Sequence, residues 1–330
     1  MIRHEPARRP AARLRLRRTL LLALAGGAAI AAVELGWIGG ERPWPEATGW
    51  DRLPPSLRVE PSSAPLWGGE AGSAPRLAWL GPAGFVLRWR GATILLDPNL
   101  STWVTVSRRR QPAPLDPAEL GAVDAVLISH AHFDHLDLPT IDRLREVGAI
   151  LVPHGGERYL EGSVHAERVE ALELGEIREI GEIEVVAVEA DHHGNRLHPL
   201  RSRELAVGWI VRSRADAIYI AGDTGPGNDF DAIRERHHPR VAILPIGAWA
   251  PAWPIGLYHT SPEQAAGIGE RLGVELVVPC HFGTFRLSLD RHTSALPRFA
   301  RAAAARGLGW RMPALATPSA ARAADPEPTT

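Results

Sequence analysis

The sequence has only one cysteine, Cys280, in 330 residues, so no disulfide can form within the chain. This scarcity is normal in the cytosol, but an exported protein with a well-packed core can also fold without disulfides. Cys280 ends an apolar run and precedes His281, a position compatible with a metal ligand. We interpret it instead as a small buried strand residue, because free cysteines are usually buried.

An excess of basic charge is also lacking. The formal net charge is −1 and no basic stripe occurs in the body of the chain, which argues against a nucleic-acid partner. Internal repeats of solenoid length are absent as well. The apolar and charged fractions, 45% and 23%, are ordinary for a globular protein, so the chain can bury a sizeable core.

Basic residues do cluster at the N-terminus, within residues 3–18, and an apolar stretch follows at 19–38 with Glu34 as its one charge. This pattern is typical of an export signal or a signal anchor. About 20 apolar residues are needed to span a bilayer. The arginine-rich side should stay in the cytoplasm, so we expect an exported or inner-membrane-anchored protein with its domain in the periplasm. Whether the segment is cleaved stays open.

The remainder divides into three parts. Residues 39–75 are rich in Pro, Gly and Trp and predict an arm, either lying on the domain or acting as a spacer. Residues 76–312 are expected to form the domain, and residues 313–330 a disordered tail. The domain alternates short apolar strands with few helices, which favours an α+β fold of two sheets covered by helices.

The individual elements follow from apolar periodicity and turn residues. Strands are predicted at 85–89, 92–96, 123–129, 149–152, 183–189, 205–211, 217–221, 241–246 and 275–280. Helices are predicted at 139–147, 229–236, 261–272 and 295–306.

Several of these strands stop at a group of His, Asp and Gly residues, and the ends of such strands would converge on one edge of a sandwich. The densest group, residues 130–135, contains three imidazoles and a carboxylate. Imidazole and carboxylate ligands suit Zn²⁺, Fe²⁺ or Mn²⁺ and favour a hydrolytic site with open positions. The candidate metal ligands are His130, His132, Asp134, His135, His192, Asp223 and His281.

The order of these residues resembles that of the metallo-β-lactamase superfamily, over roughly residues 76–300. Finer motifs resemble the branch of phospholipases D that hydrolyse N-acyl-phosphatidylethanolamine, and in part the ascorbate-6-phosphate lactonases. The resemblance implies a four-layer αββα sandwich with two divalent metal ions, Zn²⁺ before Mn²⁺ or Fe²⁺. The motifs are SHAHFDHLD (129–137), YIAGDTG (219–225), LPIGA (244–248), HTSPEQA (259–265) and HFGTFRL (281–287).

Carried over position by position, the resemblance places His130, His132 and His192 on one metal. It places Asp134, His135 and His281 on the second metal, with Asp223 as the bridge. The branch usually has an aromatic residue directly after this ligand, whereas this chain has His193 there. His193 is therefore an alternative ligand, but the spacing to Arg196 favours His192. Asp97 corresponds to a position that supports the ligand loop, and it could equally be a simple hairpin-end residue.

The implied activity is that of a dinuclear phosphodiesterase of the phospholipase D type, acting on N-acyl-phosphatidylethanolamine-like lipids through a metal-bridging hydroxide. Asp223 would bridge the ions and Asp134 would orient the nucleophile. His259 would contact the substrate or act as general acid, unless it is only a loop residue before a helix. Trp249 and Trp253 could line an apolar entry. A lactonase, another hydrolase of this fold and a catalytically idle binding protein are the alternatives. The oligomeric state stays open.

Overall fold

The computed structural model describes residues 44–58, 61–68, 73–162, 166–196, 204–214, 216–291 and 293–317. The predicted export segment, 1–38, and residues 318–330 of the predicted tail lie outside these ranges. Within them, no helix combines the length and the apolar character that crossing a membrane would require.

The domain is built on two six-stranded sheets and a small hairpin. The strands are β1 (Arg76–Gly81), β2 (Gly84–Trp89), β3 (Ala92–Leu96), β4 (Trp103–Val104), β5 (Ser107–Arg108), β6 (Ala122–Leu127), β7 (Glu146–Pro153), β8 (Ala166–Leu172), β9 (Ile177–Ile180), β10 (Ile183–Glu189), β11 (Val207–Ser213), β12 (Asp216–Ile220), β13 (Val241–Pro245) and β14 (Leu276–Cys280). The first sheet has the order β1-β2-β3-β6-β7-β8 and the second β14-β13-β12-β11-β10-β9, while β4 and β5 pair as the hairpin.

The two sheets pack face to face on one large apolar core. Its largest fully buried side chains include Trp79, Trp89, Trp209 and Tyr219, contributed by both sheets. A second apolar cluster covers the outer face of the first sheet and includes Val126 of β6 and Ile150 of β7. Strands β6 and β7 are therefore buried on both faces, which explains their nearly continuous apolar sequences.

Helices form the outer layers of the sandwich. They are α1 (Trp44–Thr48), α2 (Leu138–Ile141), α3 (Phe230–His237), α4 (Pro262–Leu272) and α5 (Ala295–Ala305). Helix α4 contacts β13, β14, α3 and α5, so these three helices cover the second sheet. Ser261 begins α4 with a capping box to Gln264, as its sequence predicts.

The helix predicted at 139–147 is wrong beyond its first turn. Helix α2 ends at Ile141, and Glu146 already begins strand β7. Val147 pairs with Val123 of β6 and with Ala166 of β8. These residues therefore belong to the sheet, although their apolar periodicity predicts a helix. Tertiary pairing overrides local propensity at this point.

The described parts of the arm and the tail lie on the domain. Leu53 is buried in the main core, and the indole of Trp50 packs edge-on against Trp310 at 6.4 Å. The tail residues 313–317 run beside β1, where Trp79 donates its N–H to Ala314 and accepts one from Ala316. The predicted start of the disordered tail at 313 thus falls within ordered chain, because these residues satisfy the edge of the first sheet.

The loops that carry the candidate ligands lie at one edge of the sandwich. Strands β3, β6, β10, β12 and β14 are among those that point their carboxyl ends there. Backbone hydrogen bonds join the loops after these ends across the two sheets, for example from the Ala131 N–H to the Gly194 carbonyl at 3.3 Å. The loops that follow the strands therefore meet, and they carry all of the predicted ligands.

Candidate metal centre

The first group of candidate ligands consists of three imidazoles. His130 and His132 follow β6, and His192 follows β10 in the other sheet. Nε2 of His130 lies 2.9 Å from Nδ1 of His132, which lies 3.3 Å from Nε2 of His192. One ligand atom from each of the three lies within 4.8 Å of the others, a spacing that one ion can bridge.

The second group contains Asp134, His135, Asp223 and His281, all buried. Nε2 of His281 lies 3.0 Å from Oδ2 of Asp134 and 3.3 Å from Oδ1 of Asp223. Nε2 of His135 lies 3.5 Å from Oδ2 of Asp134 and 3.3 Å from Oδ2 of Asp223. Two carboxylates and two imidazoles thus converge on one point.

Asp223 lies between the two groups. Its Oδ2 is 4.0 Å from Nε2 of both His130 and His192, while its Oδ1 faces His281. Gly222 permits this position: it has φ of +60°, and a Cβ there would approach the Cβ of Ser129 to 2.7 Å. A glycine is therefore required for Asp223 to reach the cluster.

Both groups have the chemistry of a divalent-metal site. Zinc–nitrogen distances are about 2.0–2.1 Å, so two ligand atoms on one tetrahedral ion lie roughly 3.3 Å apart, close to the separations seen here. Nε2 of His135 and Oδ1 of Asp223 are buried without a hydrogen-bond partner. Such atoms are costly unless something binds them, and a cation would satisfy both. The residues present thus fit two cations, one for each group.

The pKa shifts agree with a site prepared for cations. Burial lowers the pKa of His130 and His192 well below the usual range, so both imidazoles are neutral and keep a lone pair. Burial alone would raise the pKa of Asp223, but His281 and His135 hold it well below its usual value. In the absence of metal, those two histidines supply the positive charge that the buried carboxylates need.

Asp97 supports the loop after β6, which carries His130 to His135. Its carboxylate accepts hydrogen bonds from the Ser129 N–H (2.7 Å), the Ser129 hydroxyl (2.6 Å) and Nδ1 of His135 (2.7 Å). The last bond directs Nε2 of His135 toward Asp223. Of the two interpretations of Asp97, the contacts favour the supporting role.

The structure brings His192 into the cluster and leaves His193 outside it. Nδ1 of His192 donates to the carbonyl of Tyr258 at 2.9 Å, which turns Nε2 toward Asp223. The ring of His193 packs on Tyr258 at 4.2 Å and is exposed. Cys280 is buried and belongs to none of the metal-compatible groups in the described chain.

His259 also reaches the cluster. Its Nδ1 lies 3.6 Å from Oδ2 of Asp223, and with His192 it forms a third metal-compatible group. Burial lowers the pKa of His259 to about 4, so the ring is neutral at neutral pH. A neutral ring suits contact with the substrate better than general-acid catalysis, which needs a proton already in place.

Two contributors were not predicted from sequence. Asn99 donates from Nδ2 to the carbonyls of Phe133 and Asp134, both at 3.3 Å, and so supports the ligand loop. The Tyr258 carbonyl orients His192, as described above. Both act through backbone carbonyls, and no side-chain pattern in the sequence signals such contacts.

Comparison with known proteins identifies the family. A family model described as Beta-lactamase superfamily domain matches residues 92–282. The chain belongs to this family. The predicted metallo-β-lactamase resemblance and the αββα sandwich are thereby confirmed, and the domain is of the metal-dependent hydrolase type.

Similar proteins span bacteria, archaea and animals. An uncharacterized protein of Mycobacterium tuberculosis is 36% identical over 231 residues, 66% of this chain and 61% of the relative. A UPF0173 metal-dependent hydrolase of Methanopyrus kandleri is 32% identical over 213 residues, 64% of this chain and 85% of the relative. The N-acyl-phosphatidylethanolamine-hydrolyzing phospholipase D 1 of Caenorhabditis elegans is 26% identical over 232 residues, 65% of each chain.

Solved structures share the fold. Igni18, a metallo hydrolase from Ignicoccus hospitalis, has a TM-score of 0.55 at 23% identity, covering 74% of this chain and 95% of its own. An isothiocyanate hydrolase from Delia radicum gut bacteria has a TM-score of 0.58 at 22% identity, covering 72% and 96%. The match to the mycobacterial relative spans 61% of that protein's length, so the similarity concerns the domain.

Proposed function

We propose that the protein is a dinuclear metal-dependent hydrolase that cleaves a phosphodiester bond in N-acyl-phosphatidylethanolamine-like lipids. The two adjoining ligand groups support the hydrolase class, because paired cations suit phosphodiester cleavage. The similarity to the C. elegans phospholipase D supports the substrate class. We propose Zn²⁺ as the metal, with Mn²⁺ or Fe²⁺ as the alternatives, because imidazole and carboxylate ligands predominate.

The main support for a lipid substrate is a set of exposed hydrophobic side chains on segments beside the metal centre, which we call the apolar rim. Eight large hydrophobic side chains are exposed in the described chain, and six of them lie on segments that border the ligand loops. The apolar rim consists of Trp103, Val106, Phe133, Trp253, Leu257 and Leu289. Exposed apolar side chains that share one surface mark a binding site for an apolar partner, and we propose this role for the rim.

Hydrogen bonds connect the segments of the rim with one another. Ser107 of the β4–β5 hairpin accepts the N–H of Arg286 at 2.8 Å, on the loop after His281. Farther along that loop, Leu289 donates its N–H to the carbonyl of Ala250 at 3.2 Å. The segment that begins there reaches Tyr258, whose carbonyl holds His192. An acyl chain lying on this rim would bring its headgroup to the metal centre.

The residues of the site have distinct parts in the proposed reaction. When bound, two divalent cations would supply an acidified water molecule and positive charge for the phosphoryl oxygens. Asp223 would stay ionised between the two groups, since its pKa is held low. Asp134 would accept a hydrogen bond that orients the attacking water. Neutral His259 would donate its ring N–H to a phosphoryl oxygen.

The test is a panel of substrates assayed with defined added metal: an N-acyl-phosphatidylethanolamine in detergent micelles, a water-soluble aryl phosphodiester, a lactone and a β-lactam. We expect hydrolysis of both phosphodiesters. Trp253→Ser should raise KM for the lipid and leave the soluble diester unchanged. Leu174→Ser is the matched control, because Leu174 is exposed (44%) but lies outside the rim. Activity on the lactone alone would refute the phosphodiesterase, and failure to hydrolyse the lipid would refute the lipid substrate. Equal KM values for the lipid in the two variants would refute the role of the rim.

We further propose that residues 1–38 direct the protein to the inner membrane or across it, so that the domain functions in the periplasm. The arginine-rich start followed by an apolar stretch supports this localisation. Bacteria that express a fusion of residues 1–43 to a phosphatase that is active only outside the cytoplasm should show phosphatase activity. An inactive fusion at normal expression would contradict the proposal.

A further inference from the structure

The ligand loop, residues 131–136, carries His132, Asp134 and His135, and nearly all of its carbonyl groups are bonded to donors. The carbonyl of His132 accepts N–H groups of His135 (3.1 Å) and Leu136 (2.8 Å) within the loop. Asn99 donates to the next two carbonyls, as described above. The carbonyls at the two ends of the loop, on Ala131 and Leu136, have a different donor.

That donor is Arg196, on the segment that follows His192. Its Nη1 donates to the carbonyl of Ala131 at 3.0 Å and to that of Leu136 at 2.7 Å. One nitrogen thus joins the first and last residues of the ligand loop. The same segment touches the loop again, where the Gly194 carbonyl accepts the N–H of Ala131 at 3.3 Å.

Aromatic contacts fix the plane of the Arg196 guanidinium. Its central carbon lies 4.0 Å from the ring centroid of Phe133 and 5.7 Å from that of Tyr159. Burial lowers the pKa of Arg196, whereas the carboxylates of Asp137 and Asp134 raise it by a smaller amount. An arginine stays charged under such conditions. Its hydrogen bonds to the two carbonyls are therefore charge-assisted.

We infer that Arg196 is a positioning residue: it holds the ligand loop closed and so sets the affinity of the centre for metal. This inference rests on the metal centre of the proposed function. Without Arg196 the two ends of the loop could separate, and His132, Asp134 and His135 would each need to be ordered when a metal binds. Lysine can replace it only in part, because an ammonium can donate to the carbonyls but lacks the flat face that stacks on Phe133.

The experiment compares metal affinities of the unsubstituted protein, Arg196→Gln and Arg196→Lys. Each folded protein is stripped of metal and titrated with Zn²⁺ against a chromophoric chelator at 20 °C. Loss of groups that orient ligands typically costs about 10–100-fold in metal affinity, which we expect for Arg196→Gln, with a smaller loss for Arg196→Lys. The matched control is Arg143→Gln, since Arg143 pairs with Asp116 at the exposed surface. It should leave affinity unchanged.

A second readout separates positioning from general stability. Co²⁺ bound in place of Zn²⁺ has visible absorption bands that depend on ligand geometry, and we expect these to change in Arg196→Gln. A residue that only stabilised the fold would lower the melting temperature and leave affinity and spectrum as they were; that result would overturn the inference. Failure of the unsubstituted protein to bind metal would instead overturn the proposed function, and this inference with it.

Discussion

Replacement of Asp97 by asparagine should loosen the metal centre without disturbing the backbone. Asp97 has φ of +36°, in the left-handed region, which asparagine tolerates better than most residues. The substitution keeps the size of the side chain and removes its charge. The amide can still accept the Ser129 N–H, but its NH₂ group then faces the ring N–H of His135, which loses its acceptor.

The size of the effect follows from the contacts. The Ser129 N–H keeps an acceptor, so the bond from His135 is the principal loss. A buried hydrogen bond to a charged group contributes about 1.5–3 kcal/mol. For a domain of this size each kcal/mol corresponds to roughly 2–4 °C in the unfolding midpoint, so we expect a fall of about 3–12 °C. Metal affinity should fall as well, because Nε2 of His135 loses its orientation.

The assay is thermal unfolding by circular dichroism, with and without Zn²⁺, together with the chelator titration described above. A useful control is Asp116→Asn, which removes an exposed carboxylate from its pair with Arg143 and should change the midpoint little. If Asp97→Asn unfolds at the temperature of the unsubstituted protein and binds metal equally well, Asp97 is only a hairpin-end residue and the reasoning is wrong.

Four more predictions concern the centre, the loops that hold it and helix α4. Asp223→Asn should reduce hydrolysis of the aryl phosphodiester by at least about 100-fold, since the bridging charge is lost; near-normal rates would show that Asp223 does not bridge. Removal of metal by a chelator should lower stability by about 2.7 kcal/mol for each ion held at 100 times its dissociation constant, which denaturant unfolding measures; identical curves would argue against binding to the folded state. Gly194→Ala should destabilise by about 1–3 kcal/mol, because a Cβ there would meet the Leu205 carbonyl at 2.1 Å. Gly267→Ala in α4, with nothing closer than 3.9 Å, should instead stabilise by about 0.5–1 kcal/mol.

The parts of the fold that the sequence predicts well are those with a strong apolar pattern. Strands β3 and β10 have the predicted bounds, and β14 differs by one residue, because their runs are bounded by turns or polar residues. The strands that were not predicted are β1, β4 and β5, together with β8 and β9. Strands β8 and β9 lie at sheet edges and carry many charged residues, so the burial that creates an apolar pattern is reduced there.

The candidate ligands could be predicted because metal chemistry needs particular side chains, and His130, His132, Asp134 and His135 stand within six residues. The support around them could not. Asn99 and Arg196 act on carbonyl groups, which every residue possesses, so their partners leave no trace in the sequence. The spacing to Arg196 favoured His192 over His193 correctly, but the contact that orients His192 comes from the Tyr258 carbonyl, 66 residues away along the chain.

The ligand groups draw on both sheets: His130 to His135 follow a strand of the first, while His192, Asp223 and His281 follow strands of the second. A bound cation would therefore link the two sheets at the edge where their loops meet. Side chains at the opposite end of the strands, such as Trp89, also pack between the sheets. Metal affinity would then depend on the packing of the core, and a substitution that creates a cavity deep in the core would weaken metal binding.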